Sequence, residues 1–181
     1  MDEASKTRRV RGPDFERQYL SGKVIDIGAG TDPVCPWAEI FDVAEGDANF
    51  ITRYRAPETY DTVHSSHCLE HLHDPKQALR QWWQLVRPGG YLVLVVPHED
   101  LYEQGFWPSI FNPDHKATFR LDGTASWSPV RETCMKAARL PSNLAERSTS
   151  SNSSLTVAIS LSLICVPSFL VTTITFSNSR P

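Results

Sequence analysis

The chain has few cysteines and no excess of positive charge. Its four cysteines, Cys35, Cys68, Cys134 and Cys165, form no CxxC pair, so we expect reduced thiols in a cytoplasmic protein rather than a zinc or redox motif. Among 181 residues, 18 basic and 21 acidic side chains give a net charge of −3, which does not predict a nucleic-acid partner. The basic cluster at Lys6–Arg11 is expected to be a solvated arm.

One long segment lacks charge altogether. From Ser148 to Asn178 the chain has no Asp, Glu, Lys, Arg or His, and Leu155–Phe176 is long enough to cross a bilayer as a helix. Four alternatives stand: an aberrant or divergent end, the last antiparallel strands of a sheet, a membrane helix, or disorder. The abrupt loss of charge favours an aberrant end first and added strands second. A membrane helix ranks third, because serine and threonine make a poor lipid-facing surface.

Short apolar runs bounded by turn residues predict the strands. Val24–Ile27 precedes Gly28 and is expected to be a buried strand that enters a tight turn. Glu39–Val43 is a second candidate, Phe50-Ile51 belongs to a possible third, and Tyr60–Ser65 is a further one. These runs predict a sheet with short strands.

A helix and a longer strand follow. Asp74 can cap a helix that starts at Pro75, and apolar residues recur at helical spacing up to Val86. Pro88-Gly89-Gly90 is expected to turn the chain into Tyr91–Val96, an apolar strand typical of a sheet covered on both faces. The alternation predicts an α/β fold. We divide the chain into an arm and helix at residues 1–21, one domain at 22–130 and a divergent tail at 131–181.

The glycine turn is the main chemical signal. Gly28 and Gly30 let the main chain approach a ligand closely at the carboxyl edge of a parallel sheet, although a plain tight turn would look the same. The third position of a dinucleotide GxGxxG fingerprint is Pro33, which argues against a nicotinamide cofactor. Asp42 lies at the end of the second strand candidate, where a carboxylate can accept both hydroxyl protons of a ribose.

Three segments carry a resemblance to a known family. VIDIGAGTDP resembles motif I of the class I S-adenosylmethionine-dependent methyltransferases, and YDTVHSSHCLEHLHDP resembles their fourth-strand region. ALRQWWQLVRPGGYLVLVVP is similar to the helix, PGG turn and fifth strand that come next. The segments lie between residues 22 and 97 and look most like small bacterial methyltransferases of the type 11 group. The resemblance implies a Rossmann-like doubly wound sheet and S-adenosylmethionine as cofactor.

The resemblance also implies roles for individual residues. Bare main chain at Gly28–Gly30 is expected to lie against the cofactor. The implied cofactor contacts are Asp26, Gly28, Ala29 and Gly30 at the methionine part, Asp42 at the ribose, Asp47 and Ala48 at the adenine, and Ser65 and His67 closing the pocket. One departure concerns the interval from Gly30 to Asp42, which is too short for the helix that normally follows motif I.

Histidines supply the candidates for acid–base chemistry. His98 comes directly after the last strand and His115 lies in the segment beyond it, so either could take a proton from an acceptor, or merely bond a neighbouring carbonyl or carboxylate. A second group crowds residues 64–74, where His67 and His71 could share a helix face. Because that segment matches a loop and helix start in the family, we predict no metal site.

The favoured function is methyl transfer to a small molecule or biosynthetic intermediate. Two alternatives are a non-catalytic module that binds the cofactor and a membrane-tethered enzyme. Specificity in this fold depends on loops and insertions, here the segment after Pro97, so the sequence does not identify the acceptor. It also leaves the oligomeric state open.

Overall fold

The computed structural model describes residues 3–120, 160–166 and 169–177, except for the side chains of Glu3, Val10 and the last two of these segments. The elements in chain order are α1 (Glu3–Tyr19), β1 (Val24–Ile27), β2 (Glu39–Phe41), the 3₁₀ helix η1 (Ala48–Arg53), β3 (Tyr60–Ser66), the 3₁₀ helix η2 (Leu69–His71), α2 (Pro75–Leu85), β4 (Val86–Pro97), α3 (Glu99–Tyr102), β5 (Ser160–Val166) and β6 (Phe169–Ser177).

Six strands form one mixed sheet in the order β2-β1-β3-β4-β6-β5. The pairs β1–β2, β1–β3 and β3–β4 are parallel, whereas β6 is antiparallel to both β4 and β5. Parallel strands bring their carboxyl ends to one edge, which is where open α/β sheets bind ligands. The predicted α/β sheet is confirmed.

Both faces of the sheet are covered. Ile25 and Ile27 of β1 belong to the larger core, which also contains the α2 side chains Trp82 and Leu85. Val24 points to the other face, because side chains alternate along a strand, and it joins a smaller cluster with Leu20. Asp26, one residue on from Ile25, shares the face of Val24.

Helix α2 begins where the sequence predicts. The Asp74 side chain accepts a hydrogen bond from the N–H of Gln77 at 2.9 Å, and Pro75 occupies the first helical turn. The helix ends at Leu85 and β4 begins at Val86, so Pro88-Gly89-Gly90 lies within β4 rather than before it. Val86 pairs with Tyr60, and the register then shifts, with Tyr91 opposite Thr62. The predicted turn is therefore an irregularity inside the strand.

The strand expected at Phe50-Ile51 is wrong. These residues lie in η1, because the Asp47 side chain accepts from the N–H of Asn49 at 2.9 Å and so caps a helical turn. The residues between Gly30 and Glu39 form turns and bends, in agreement with the short interval seen in the sequence.

The basic cluster near the amino terminus is not a solvated arm. It lies in α1, which is kinked at Gly12. Arg8 donates to the carbonyl oxygens of Pro33 at 2.9 Å and Val34 at 3.1 Å, and Arg11 approaches His64 beneath the sheet. The cluster therefore joins α1 to the segment that follows the glycine turn.

Among the alternatives for the tail, the structure shows added antiparallel strands. β6 pairs with β4 from Tyr91↔Ser177 to Pro97↔Val171, and β5 pairs with β6 in turn. The apolar run proposed as a membrane span contains β5 and all of β6 except Ser177. None of the helices in the described part of the chain has the length and apolarity needed to span a membrane. The rest of the tail, including residues 131–159, lies outside the described residues.

Candidate functional site

Two cavities lie at the carboxyl edge of the sheet. The larger has a volume of about 650 Å³ and the smaller about 230 Å³. His67 and His71 line both cavities, so the two spaces adjoin at the segment that follows β3. A volume of several hundred cubic ångströms is typical of a pocket for a small molecule.

The glycine turn after β1 contributes to both cavities, with Gly28 in the wall of the larger and Ala29 in that of the smaller. Gly28 has φ 77°, and a Cβ there would lie 2.5 Å from the Cβ of Cys68. Gly30 has φ 56°, and nothing lies within 4 Å of the Cβ it would carry. The bare main chain expected at Gly28–Gly30 is thus open at Gly30, whereas at Gly28 the Cys68 side chain fills the space. Gly28 is required there for packing.

The larger cavity collects five of the predicted cofactor contacts. Asp42 accepts hydrogen bonds from the N–H groups of Gly30 at 2.6 Å and Val43 at 2.7 Å, which fixes its carboxylate beside the glycine turn. The pKa of Asp47 is lowered by hydrogen bonds from Asn49. The predicted residues in this wall are Gly28, Asp42, Asp47, Ala48 and His67.

Sequence reasoning missed several side chains in the same wall, and two of them, Tyr54 and Cys68, bear on its chemistry. The Tyr54 ring lies 5.8 Å from the ring of Phe41, and a Cβ at Gly46 would lie 2.8 Å from it. Cys68 is the second. Burial, followed by the carboxylates of Glu70 and Asp42, raises the pKa of its thiol to about 12, so it is not a thiolate nucleophile near neutral pH. No local pattern marks either residue.

Asp26 occupies the buried end of the site. One carboxylate oxygen accepts from the N–H of Val34 at 2.6 Å, and the other lies 2.6 Å from Nδ1 of His64. Arg11 Nη1 lies 3.4 Å from Nε2 of the same ring. Burial lowers the pKa of Arg11 to about 10, although the Asp26 carboxylate opposes the shift. Asp26 therefore braces the turn after β1 from below.

Most residues that line the smaller cavity are of polar or ionisable type. From the predicted residues it collects Asp26, Ala29, His67 and His115. His115 is 6% exposed, and its Nδ1 lies 2.7 Å from Glu103 Oε1. The remaining lining residues come from α1, η2, α3 and the segments near them: Ala4, Asp32, Ser66, Glu70, His71, Tyr102 and Asn112.

Three predicted residues line neither cavity, and one of them, Gly30, lies beside the larger one, where its N–H donates to Asp42. The Ser65 hydroxyl donates to the Ile27 carbonyl at 2.9 Å inside the sheet, and Ser66 takes its expected place in the cavity wall. His98 precedes α3, where its Nδ1 accepts from the N–H of Asp100 at 3.3 Å, and it lines neither cavity. Of the two predicted bases, the structure brings only His115 to a cavity. The cofactor and catalytic roles themselves stay predictions.

A family comparison agrees with this geometry. Residues 5–128 match the model of a family described as a methyltransferase domain. No curated protein matches the chain.

Solved structures share the fold at low sequence identity. An S-adenosylmethionine-dependent methyltransferase from Archaeoglobus fulgidus is 16% identical, with a TM-score of 0.53 over 98% of this chain and 94% of that one. A possible histamine N-methyltransferase from Thermotoga maritima is 12% identical, with a TM-score of 0.52 over 98% and 88%. A 1,6-didemethyltoxoflavin-N1-methyltransferase from Burkholderia thailandensis is 17% identical, with a TM-score of 0.52 over 99% and 80%. At these identities the likeness establishes the fold alone.

Proposed function

We propose that this chain transfers the methyl group of S-adenosylmethionine to a small molecule. It belongs to the methyltransferase domain family, because residues 5–128 match the model of that family. In this proposal the cofactor occupies the larger cavity and extends over the glycine turn, and the acceptor enters the smaller one. The observation that carries the proposal is the pair of cavities that adjoin at His67 and His71, beside the open main chain of Gly30.

The residues of the larger cavity fit a nucleoside. The carboxylate of Asp42 is held by two main-chain N–H groups and can still accept from ribose hydroxyls, since each carboxylate oxygen has two lone pairs. Tyr54 offers an aromatic face and Asp47 an exposed carboxylate, both suited to an adenine ring with its amino group. A side chain at Gly30 would fill space that the bound cofactor needs.

The bound cofactor supplies an activated methyl group on a sulfonium. The work left to the protein is to align the acceptor with that group and to keep water out. Asp26 contributes by bracing the turn at Val34. An alcohol acceptor also needs a base. His115, whose ring is oriented by Glu103, is the candidate that faces the cavity.

The size of the smaller cavity supports a small acceptor. Its volume of about 230 Å³ suits a metabolite-sized group rather than a polymer. The Burkholderia neighbour has 1,6-didemethyltoxoflavin bound together with S-adenosylhomocysteine, so the shared fold is compatible with such an acceptor. We place the activity in the cytoplasm, where the free thiols of Cys35 and Cys68 would stay reduced.

Calorimetry with S-adenosylhomocysteine tests the proposal, with Gly30→Leu as the blocking variant. Wild-type protein is expected to bind with measurable heat, and Gly30→Leu to lose at least tenfold in affinity. Gly89→Leu is the matched control, because Gly89 also has a positive φ, 81°, with nothing within 4 Å of its Cβ, but it lies near the opposite end of β4. Equal losses in both variants, or no heat from folded wild-type protein, would contradict the proposal.

Binding and turnover are then separated by labelled-methyl transfer to fractionated metabolites. Transfer by wild-type protein and its loss in Gly30→Leu are expected. Binding without transfer to any fraction would favour the non-catalytic module.

A further inference from the structure

Three side chains that could hold a cation meet at the wall of the smaller cavity. Glu70 and His71 belong to η2, and His115 comes from the segment after α3. Each offers one ligand atom, and these atoms all lie within 4.8 Å of one another. Sequence reasoning placed Glu70 and His71 in the crowded histidine segment, but it did not connect them with His115.

Both imidazoles are oriented by a carboxylate. Nδ1 of His71 lies 3.0 Å from Asp114 Oδ2, and Nδ1 of His115 lies 2.7 Å from Glu103 Oε1. A carboxylate that accepts the proton of one ring nitrogen fixes the tautomer and leaves the lone pair of the other nitrogen available to a metal. The two pairs therefore leave Nε2 of each ring as the ligand atom.

Glu70 lacks the partners that a buried carboxylate normally has. It is 0% exposed, and among the described residues neither of its carboxylate oxygens has a hydrogen-bond partner. Oε1 lies 3.2 Å from Nδ1 of His67, but this contact does not meet the geometry of a hydrogen bond. Burying a carboxylate without compensation is costly, and a bound cation would supply the missing partner.

The backbone holds the two ligand segments together. The carbonyl oxygen of Glu70 accepts from the N–H groups of Lys116 at 2.8 Å and Ala117 at 3.2 Å. Lys116 Nζ also donates to the carbonyl oxygen of His71 at 2.8 Å. His115 is thus fixed beside η2, and the site does not have to be assembled by the ion.

We propose that Glu70, His71 and His115 bind a divalent cation of the zinc type at the wall of the smaller cavity. Two imidazoles and one carboxylate suit Zn²⁺ or Co²⁺ better than Mg²⁺ or Ca²⁺, which prefer oxygen ligands. Three protein ligands leave coordination positions open towards the cavity. This inference replaces the sequence-based expectation that the chain has no metal site.

The cation also changes the role of His115. A ring that ligates through Nε2 and donates through Nδ1 has no lone pair left to accept a proton. If the chain has the proposed transferase function, the cation would bind a hydroxyl oxygen of the acceptor. It would lower the pKa of that hydroxyl, as metal ions do for bound water, so that the proton could be lost to solvent before the oxygen takes the methyl group.

Optical titration with Co²⁺ tests the site in the full-length, metal-free protein without cofactor. We expect one equivalent of Co²⁺ to give saturable visible d–d bands, which Zn²⁺ removes and excess Mg²⁺ does not. His115→Ala and Glu70→Gln should each weaken Co²⁺ binding at least tenfold. Glu103→Gln should weaken it by about tenfold, because it removes the carboxylate that orients His115.

His73→Ala is the matched control, since His73 is an exposed imidazole two residues from His71. The affinity of this variant for Co²⁺ should equal that of wild-type protein. Glu70→Gln preserves the shape of the side chain, so it keeps the test valid if His115→Ala fails to fold. The absence of saturable bands in wild-type protein, or unchanged affinity in Glu70→Gln, would overturn the site. Calorimetry with S-adenosylhomocysteine is a separate readout, so a failed metal site leaves the proposed function standing.

Discussion

Different interactions hold the walls of the two cavities in place. The wall of the larger one is shaped by main chain and turns, with Gly28, Gly46 and Asp42 fixed by contacts within the first 70 residues. The smaller one brings together α1, η2 and the segment after α3, and its lining includes His115, which is paired with the buried Glu103. The first depends on backbone conformation and the second on the pairing of polar groups. Substitutions in the two walls should therefore change the free energy of unfolding by different amounts and for different reasons.

The largest effect is expected at the glycine turn of the larger cavity. Gly28→Val places a branched side chain where Cβ alone would lie 2.5 Å from Cys68, at φ 77°. We expect the free energy of unfolding to fall by about 3 kcal/mol or more, from overpacking plus the cost of a left-handed conformation. Urea denaturation measures it. Gly30→Ala, which meets no neighbour, should lose only about 1 kcal/mol. Similar losses in the two variants would remove the distinction between these glycines.

An intermediate effect is expected at the smaller cavity. Glu103 is 1% exposed, and Glu103→Ala leaves His115 without the carboxylate that holds its Nδ1. The loss in unfolding free energy should be about 2 kcal/mol. At the rim of the larger cavity, the exposed Glu45 accepts one bond from the N–H of Asp42, and Glu45→Ala should cost less than about 1 kcal/mol. If Glu45→Ala lowers the free energy of unfolding as much as Glu103→Ala does, the smaller cavity does not depend more than the larger one on paired polar side chains.

The smallest effect concerns pH and the link between α1 and the glycine turn. Burial alone would raise the pKa of Asp32, but hydrogen bonds from Ser5 and the charge of Arg8 lower it below its ordinary value of 3.8. Stability from this carboxylate is therefore present above about pH 4 and lost as pH falls through the lowered pKa. At pH 7 the free energy of unfolding of wild-type protein should exceed that of Asp32→Asn by less than about 1 kcal/mol, because solvent screens a half-exposed pair.

Acid titration of unfolding in both proteins measures that difference. It should shrink below pH 4. A difference that stays constant from neutral to acidic pH would exclude the carboxylate as its source.

Local signals explain how much of the fold was predictable. β1 and α2 were found because an apolar run before Gly28 and the Asp74-Pro75 pair are decided by neighbours in sequence. The strand expected at Phe50-Ile51 failed because the cap from Asp47 outweighs the strand preference of two apolar residues. Added strands ranked only second among the alternatives for the tail, because the partner of β6 in the sheet, β4, lies far away along the chain.

The candidate site was predictable only in part, because the sequence does not show in which direction each side chain points. The family resemblance led to Asp42 and Ala48, which do line the larger cavity. Ser65 and Ser66 are adjacent in one strand, so their side chains point to opposite faces, and a shift of one residue exchanges the cavity wall for the interior. No spacing rule links Glu70 with His115, which the hydrogen bonds around Lys116 bring together.

The pairing of β4 with β6 has a consequence for synthesis. β4 lies inside the finished sheet, and its residues Leu92–Val96 are buried, yet the strand that covers its outer edge ends at Ser177. Until that late segment leaves the ribosome, a nascent chain presents an apolar strand edge that can pair with other molecules. So distant a contact closes slowly, and premature termination before residue 160 would leave this edge of β4 without its partner strand.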